Sequence, residues 1–356
     1  MNIQTASSLL KGGQLRLLFG VNRLLSPFYR LSFLAAAASC GLLRLLAPAS
    51  RSLPEVCAGL AIDESMQDGL AAWLELGVRL GELAKDDDRY RLAGYLARKL
   101  ASPKHDEVAA LVQEIVSFHH RLMLETPARL QKKEPWRLAE HDSELIARSS
   151  RIMEPFMFGV IDWALPKSGT QRLLEVGCGA GTYLRYAVQR NPELRAIGIE
   201  LDPAVAESTR RAVAKWGLAQ RITVEAGDVR VRACEAVFDV VTLYNVIYYF
   251  PASERIALLA KLASFLKPGG RLILSTSCQG GSPGMQVLDI WMSNTEGLGR
   301  LPIDSEVVAQ LRSAGFVEIR SKRAIPGEPY YAFVARKPEQ QTDQSSGRSS
   351  GQASVS

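Results

Sequence analysis

The chain has 356 residues, of which 47% are hydrophobic and 22% are charged, a composition typical of a folded globular protein. Its formal charge of +6 lies entirely before residue 52, where six bases and no acid occur. The charge-balanced remainder argues against a nucleic-acid binder with a broad basic face. The longest uncharged apolar run, 31–43, is shorter than the roughly 20 residues of a membrane span.

Residues 1–30 form a basic segment in which Arg16, Arg23 and Arg30 recur at every seventh position. This spacing predicts an amphipathic helix with the arginines near one face, interrupted at Pro27. Three interpretations stay open: a structural part of the first domain, a weakly membrane-associated or partner-binding surface, or a cleaved targeting sequence. The five cysteines are widely spaced, which predicts no disulfide framework and a cytoplasmic protein.

Residues 31–135 predict a mainly helical domain with a winged-helix-like order of elements. We expect a helix over 31–46 ended by Pro48, a short helix to residue 58 capped by Ser52 and Glu55, a helix over 64–76 ended by Gly77, and two strands at 78–84 and 89–92. The helix at 64–76 carries three acids and neither Lys nor Arg. Such a helix would repel phosphate, so we do not expect it to read DNA.

Two longer helices follow. The first runs from about 106 to 125 and ends at Pro127, with His119 on its apolar face as a packed histidine or, alternatively, a ligand or base. We expect His120 to be solvated. The second runs from about 143 to 165 with a kink at Pro155.

From residue 171 onward, strands and helices alternate. We expect strands at 172–176, 195–200, 221–225, 238–243, 271–276, 316–320 and 330–335. This alternation predicts an α/β fold with a mostly parallel, doubly wound sheet. The polar residues of 338–356 predict a disordered tail.

A glycine-rich turn follows the first of these strands, with Gly177, Gly179 and Gly181 permitting a tight turn and close approach of a ligand. A dinucleotide-binding turn holds pyrophosphate, which the carboxylate of Glu175 would repel. A ligand with a cationic end, such as a methionyl amino group, suits Glu175 better.

Two further carboxylates end the next strands. Glu200 can accept hydrogen bonds from both hydroxyls of a ribose, and Asp228, followed by Val229, can accept one from an adenine amino group. We interpret Asp202, before Pro203, as a helix cap.

With these motifs in order, residues 171–337 resemble the class I S-adenosylmethionine-dependent methyltransferases. Further matches are 238–241, 266–270 and 314–316. The resemblance implies a Rossmann-like seven-stranded domain over 143–337 that binds S-adenosylmethionine. It also implies that Glu175 and 177–181 hold the methionyl part, Glu200 the ribose, Asp228 and Val229 the adenine, and that Asn245 lies beside the sulfonium.

Residues 28–135 are similar to the winged-helix dimerisation domain of small-molecule O-methyltransferases. That resemblance implies a homodimer in which this domain covers the acceptor pocket and binds no nucleic acid. The chemistry expected is in-line methyl transfer to a small, fairly apolar or aromatic acceptor.

One departure concerns proton transfer. Those enzymes often carry a histidine base after the fourth strand, and Tyr248 stands at that position here. A neutral tyrosine is a poor base near neutral pH, so Tyr248 is a catalytic or orienting candidate only. The candidate acceptor pocket comprises Tyr249, His119, Trp291 and Cys278, and no metal is expected.

Oxygen is the favoured acceptor atom. The alternatives are a carbon or nitrogen acceptor, a membrane-peripheral enzyme acting on a lipid or quinone, and a DNA-binding or accessory protein that retains the fold.

Overall fold

A computed structural model of the protein describes residues 14–339. The chain divides into two compact units, one ending at Glu154 and the other beginning at Pro155. Residues 143–154, which the sequence analysis groups with the second domain, therefore lie in the first unit.

The first unit is mainly helical. Its helices are α1 (Gln14–Ser39), α2 (Leu42–Leu46), α3 (Leu53–Gly59), α4 (Gln67–Arg79), α5 (Tyr95–Leu100), α6 (Asp106–Glu114), α7 (His120–Lys132) and α8 (Ser143–Ser149). Its three short strands are β1 (Arg51–Ser52), β2 (Leu83–Asp86) and β3 (Arg89–Leu92), which form an antiparallel sheet in the order β1-β3-β2. The capped short helix expected from the sequence is present, and the Glu55 carboxylate accepts from the Ser52 amide at 2.7 Å. The expected hairpin is also present, but its first strand lies at Leu83–Asp86 and not at 78–84, because α4 continues to Arg79.

Several predicted helix boundaries in this unit are wrong. Helix α1 continues through Pro27 and ends at Ser39, and the helical path breaks at Gly41, whose φ is 85°. Helix α2 then ends at Leu46, before Pro48, as predicted. The segment after Pro27 packs Phe33, Leu34 and Ala37 into the core of the unit. This burial compensates for the one backbone hydrogen bond that a proline removes.

The predicted stop at Pro127 is also wrong, since α7 runs through it to Lys132. Between α6 and α7 the chain forms one π-helical segment, Ile115–His119, so the rod from 106 to 132 is continuous but not uniform. The predicted helix over 64–76 begins instead as a 3₁₀ turn, Glu64–Met66, and its α-helical part passes Gly77. The predicted helix over 143–165 is broken by a 3₁₀ turn at Ser150–Met153.

The second unit contains the predicted seven-stranded sheet. Its strands are β4 (Arg172–Val176), β5 (Arg195–Glu200), β6 (Ile222–Ala226), β7 (Phe238–Tyr244), β8 (Leu266–Ser277), β9 (Val317–Arg323) and β10 (Tyr330–Arg336). The helices are α9 (Glu154–Ala164), α10 (Thr182–Arg190), α11 (Pro203–Lys215), α12 (Ala252–Phe265), α13 (Pro283–Asn294) and α14 (Asp304–Ser313). The order is β6-β5-β4-β7-β8-β10-β9, parallel except at β10, which runs antiparallel to β8 and β9.

The apolar strands of this sheet are buried on both faces, as expected where helices cover a parallel sheet. Leu174, Val241 and Leu272 on three neighbouring strands are fully buried in one core with Leu259 of α12 and Leu311 of α14. Within residues 14–339, no helix is long and apolar enough to span a bilayer.

Candidate active site

The order of the strands defines where a ligand can bind. Strand β4 lies between β5 and β7 and is parallel to both. The chain leaves β4 toward β5 on one side and returns to β7 on the other, so a crevice opens at the carboxyl end of β4. The glycine-rich turn follows β4 at this point.

The three glycines of this turn adopt left-handed backbone angles, with φ of 71° at Gly177, 48° at Gly179 and 73° at Gly181. A Cβ atom at Gly181 would lie 2.8 Å from Cγ2 of Thr209. At Gly179 a Cβ atom would meet no atom within 4 Å, so the backbone there borders open space. Gly181 therefore serves helix packing, and Gly179 leaves room for a ligand.

Glu175 lies on β4 just before the turn and is only 2% exposed. Burial raises the pKa of its carboxyl to about 8. A cationic ligand group beside this carboxyl would favour its ionised form, because it would compensate for the lost hydration.

Glu200, at the end of β5, accepts hydrogen bonds from two turns at the edge of the crevice, the glycine-rich turn after β4 and the turn that follows β5 itself. Its Oε2 accepts from the Gly179 amide at 2.9 Å, and its Oε1 accepts from the Asp202 amide at 3.3 Å. Each carboxylate oxygen retains a lone pair for a further donor such as a ribose hydroxyl. Asp202 caps α11 as expected, since its Oδ1 accepts from the Ala204 amide at 2.7 Å.

Asp228 follows β6, and its carboxylate is paired with the arginine two positions later. The Arg230 guanidinium donates to both of its oxygens, with Nη2 at 2.7 Å from Oδ2. This pairing lowers the pKa of the carboxyl, which stays ionised. The sequence did not predict this arginine contact. Val229 beside it is buried at 4% exposure.

Asn245 immediately follows β7 and, with φ of 57°, has a left-handed backbone that is uncommon outside glycine. Its Oδ1 accepts from the hydroxyl of Tyr330 at 2.8 Å. Tyr330 begins β10 and is 1% exposed. Sequence reasoning missed Tyr330, because no motif marks it and only the antiparallel pairing of β10 with β8 brings it to Asn245.

Tyr248 is 9% exposed, and burial raises the pKa of its hydroxyl well above the usual value. Such a group does not favour proton acceptance, so the geometry supports lining or orienting an acceptor. Its ring lies 4.9 Å from that of Tyr249, and Tyr183 and Tyr244 form a second ring pair at 5.6 Å. The sequence analysis did not select that second pair.

Cys278 and Trp291 are both buried. Burial raises the pKa of the Cys278 thiol to about 12, which fits a lining residue and not a nucleophile.

His119 belongs to the first unit. Its position on the apolar face of the predicted helix suggested purely apolar neighbours, but it also has a charged one. Its Nε2 lies 3.4 Å from Oε1 of Glu114, five residues earlier. A π-helical turn brings positions five apart together, which an α-helix does not. His120 is partly buried, contrary to the prediction, with its ring 5.5 Å from that of Phe28.

The residues at the carboxyl ends of β4, β5 and β7 fit S-adenosylmethionine in shape and in charge. Gly179 borders open space, the Glu175 carboxyl suits an ammonium group, and Glu200 suits a diol. Among residues 14–339, no three His, Cys, Asp or Glu side chains are grouped to hold a metal ion.

This sheet order, with its glycine turn and closing antiparallel strand, is the fold of the class I S-adenosylmethionine-dependent methyltransferases with an N-terminal helical domain. The family described as methyltransferase domain matches residues 174–272.

Several relatives of the chain are named O-methyltransferases, and others are named L-tyrosine C(3)-methyltransferase, aclacinomycin 10-hydroxylase and carboxy-S-adenosyl-L-methionine synthase. It is 30% identical over 193 residues to demethylspheroidene O-methyltransferase of Rhodobacter capsulatus, a match covering 53% of this chain and 46% of that protein. It is 25% identical over 319 residues to 3-hydroxy-5-methyl-1-naphthoate 3-O-methyltransferase of Streptomyces sahachiroi, covering 85% of this chain and 91% of that protein. The chain spans about half the length of the first curated relatives it matches.

The structure of mitomycin 7-O-methyltransferase superposes with a TM-score of 0.76 at 20% identity, covering 92% of this chain and 99% of that chain. The similarity extends through both units, and at this identity it establishes the fold.

Proposed function

We propose that the protein transfers the methyl group of S-adenosylmethionine to a hydroxyl oxygen of a small, fairly apolar or aromatic molecule. The observation that carries this proposal is the left-handed glycine turn flanked by the carboxyls of Glu175 and Glu200. The acceptor oxygen attacks the methyl carbon in line, the carbon–sulfur bond breaks, and S-adenosylhomocysteine leaves. The acceptor's proton passes to solvent or to a nearby base.

Each site residue has a role in this proposal. Glu175 faces the methionyl ammonium, Glu200 the ribose, and Asp228 with Val229 the adenine. Asn245 lies beside the sulfonium. Holding donor and acceptor in one orientation is itself a large part of the rate enhancement in such reactions.

The acceptor side of the proposal uses Tyr248 to orient the hydroxyl, with Tyr249, Trp291 and Cys278 as apolar lining. His119 is the further candidate from the first unit. The high pKa of the Tyr248 hydroxyl supports a hydrogen-bonding role in preference to that of a base.

Calorimetric titration with S-adenosylmethionine tests the donor site directly. We expect binding by the wild-type chain and a loss of at least about tenfold in affinity for Glu200→Ala, because a charge-assisted hydrogen bond contributes about 1.5–3 kcal/mol. Glu207→Ala on the exposed surface of α11 is the matched control. Transfer of tritiated methyl to a panel of phenols and hydroxynaphthoates then tests the acceptor class, and absence of binding and of transfer would refute the proposal.

We further propose that residues 31–135 act as a dimerisation domain and that the protein is a cytoplasmic homodimer without a nucleic-acid partner. The support is the order of α3, α4 and the β2–β3 hairpin, together with the acidic character of α4. Sedimentation analysis of the full chain tests for the homodimer, and a mobility-shift assay tests for nucleic-acid binding.

A second candidate function is a membrane-peripheral methyltransferase, which the exposed side of α1 favours. Leu17, Leu24 and Phe28 are 68%, 70% and 47% exposed, while Arg16 and Arg23 lie about 100° around the helix from Leu17 and Leu24. A basic amphipathic helix of this kind is typical of interfacial binding to anionic lipid.

Co-sedimentation with phosphatidylglycerol vesicles tests this candidate. Leu17→Asp with Leu24→Asp should abolish binding, whereas Val231→Asp, at another exposed position, should not. If the double variant instead converts a dimer to a monomer and the wild type ignores vesicles, a second copy of the chain covers this face.

A further inference from the structure

Arg255 is a buried cation that the proposed reaction does not use. It lies in the first turn of α12 and is 1% exposed. No carboxylate of residues 14–339 forms a salt bridge with it, and burial lowers the pKa of its guanidinium. Glu306 attracts this cation electrostatically without forming a salt bridge with it, so the direct contacts of the buried guanidinium are its hydrogen bonds.

Those hydrogen bonds connect two separate loops. Nε donates to the carbonyl oxygen of Phe250 at 2.9 Å, and Nη2 donates to the carbonyl oxygen of Arg300 at 2.7 Å. The first loop follows β7 and carries Tyr248 and Tyr249. The second loop, 295–303, follows α13, the helix that carries Trp291.

The two loops also touch directly. A Cβ atom at Gly299 would lie 3.4 Å from Cα of Pro251, an ordinary contact distance, so the two backbones are close neighbours at this point. The second loop is in turn held to the strand that ends before Cys278, because Nε2 of Gln279 donates to the carbonyl oxygen of Leu301 at 2.6 Å. The Arg255 and Gln279 contacts therefore connect the 295–303 loop, which follows the helix of Trp291, to the segments that carry Tyr248, Tyr249 and Cys278.

We propose that Arg255 is a positioning residue that fixes the spacing between the Tyr248–Tyr249 loop and the 295–303 loop, and so sets the fit of the acceptor. This inference rests on the proposed methyltransferase function. A planar guanidinium suits the task, because its rigid fork holds donors to two separate carbonyls in fixed directions, whereas an ammonium group is a compact charge at the end of a flexible stem.

The experiment compares Arg255→Met and Arg255→Lys with Arg221→Met. Arg221 is a matched control, because it also donates to backbone carbonyls, those of Val188 and Pro192, in the same unit. Hydrogen–deuterium exchange on the full chain should rise in both loops together in the two Arg255 variants, and in neither loop for Arg221→Met. Exchange that rises in one loop only, or in neither, overturns the proposal.

Steady-state kinetics supply the second readout, with 2-naphthol as the acceptor probe. We expect KM for the naphthol to rise about tenfold in Arg255→Met and in Arg255→Lys, while the dissociation constant for S-adenosylmethionine stays within twofold. An equal rise in KM for the naphthol and in the dissociation constant for S-adenosylmethionine would indicate general destabilisation and contradict a positioning role. If the wild-type chain transfers no methyl group to any acceptor, the proposed function fails, and the exchange experiment still decides whether the two loops are coupled.

Discussion

The hydroxyl of Tyr330 donates to Oδ1 of Asn245 across 2.8 Å, and it also lies 3.1 Å from Oγ of Ser275. This contact joins the antiparallel strand β10 to the residue that ends the parallel strand β7. It fixes the orientation of the Asn245 amide, since an oxygen that accepts from Tyr330 turns the NH₂ group the other way.

Tyr330→Phe should lower kcat while leaving the fold intact. Loss of this buried hydrogen bond costs about 1–3 kcal/mol, and we expect about a tenfold fall in kcat as the Asn245 amide loses its fixed orientation. The control is Tyr331→Phe, whose hydroxyl instead contacts the exposed Arg323. Equal kcat values for the two variants would contradict an orienting role.

Glu175→Gln should change how stability depends on pH. The folded-state pKa of about 8 lies above the ordinary value, so the folded protein favours the protonated carboxyl. The stability associated with this proton is fully present below about pH 4.5 and is lost as pH rises to about 8, at about 1.4 kcal/mol per pH unit.

Because glutamine resembles the protonated carboxyl, the variant should be more stable than wild type at pH 9 and similar to it at pH 5. Urea denaturation at the two pH values measures this difference. Parallel pH profiles for the two proteins would show that Glu175 is already ionised in the folded chain.

Gly181→Ala should destabilise the protein more than Gly217→Ala. The two glycines have φ of 73° and 71°, so the backbone strain of an alanine is the same at both. Only at position 181 would the added methyl meet another atom, Cγ2 of Thr209 at 2.8 Å. Overpacking of this kind costs about 1–3 kcal/mol, which should appear as the difference between the two variants in denaturant midpoints.

Cysteine labelling should distinguish Cys234 from Cys278. The Ser264 hydroxyl and the Lys261 ammonium, each 3.0 Å from Sγ, lower the pKa of the exposed Cys234 thiol, whereas Cys278 is buried. We expect Cys234 to react first with a disulfide reagent and Lys261→Met to slow it, with Cys278 reacting only on unfolding. Mass spectrometry of the labelled peptides identifies the order, and early labelling of Cys278 would contradict its assignment as a buried lining residue.

The sheet could be predicted from the sequence because each strand of the second unit is an apolar run bounded by a turn. The same reasoning selected Glu175 and Glu200, since the carboxyl ends of parallel strands meet at one edge. Prolines were the weaker guide. Pro27 and Pro127 both lie inside helices. After Pro27 the packing of the following segment into the core outweighs one missing hydrogen bond, and after Pro127 the contacts of Arg129 with Glu125, Glu140 and the Trp136 ring hold the last turns.

The acceptor side was less predictable for a physical reason. Tyr330 and Arg255 act through partners 85 and 45 residues away along the chain, and no local pattern encodes such contacts. Asp228 lies just after its strand, as the pattern predicted, but its pairing with Arg230 depends on the conformation of the turn and could not be predicted.

The π-helical segment Ile115–His119 adds, in effect, one extra residue to the rod from 106 to 132. Deleting a single residue there would restore uniform α-helical geometry and turn everything after it by about 100°. The His120 ring, now 5.5 Å from the ring of Phe28 in α1, would rotate out of that contact. The faces of the helix before and after the segment are thus rotated relative to each other. Residues that share one face on a regular helical wheel therefore lie on different surfaces of the first unit when the segment separates them.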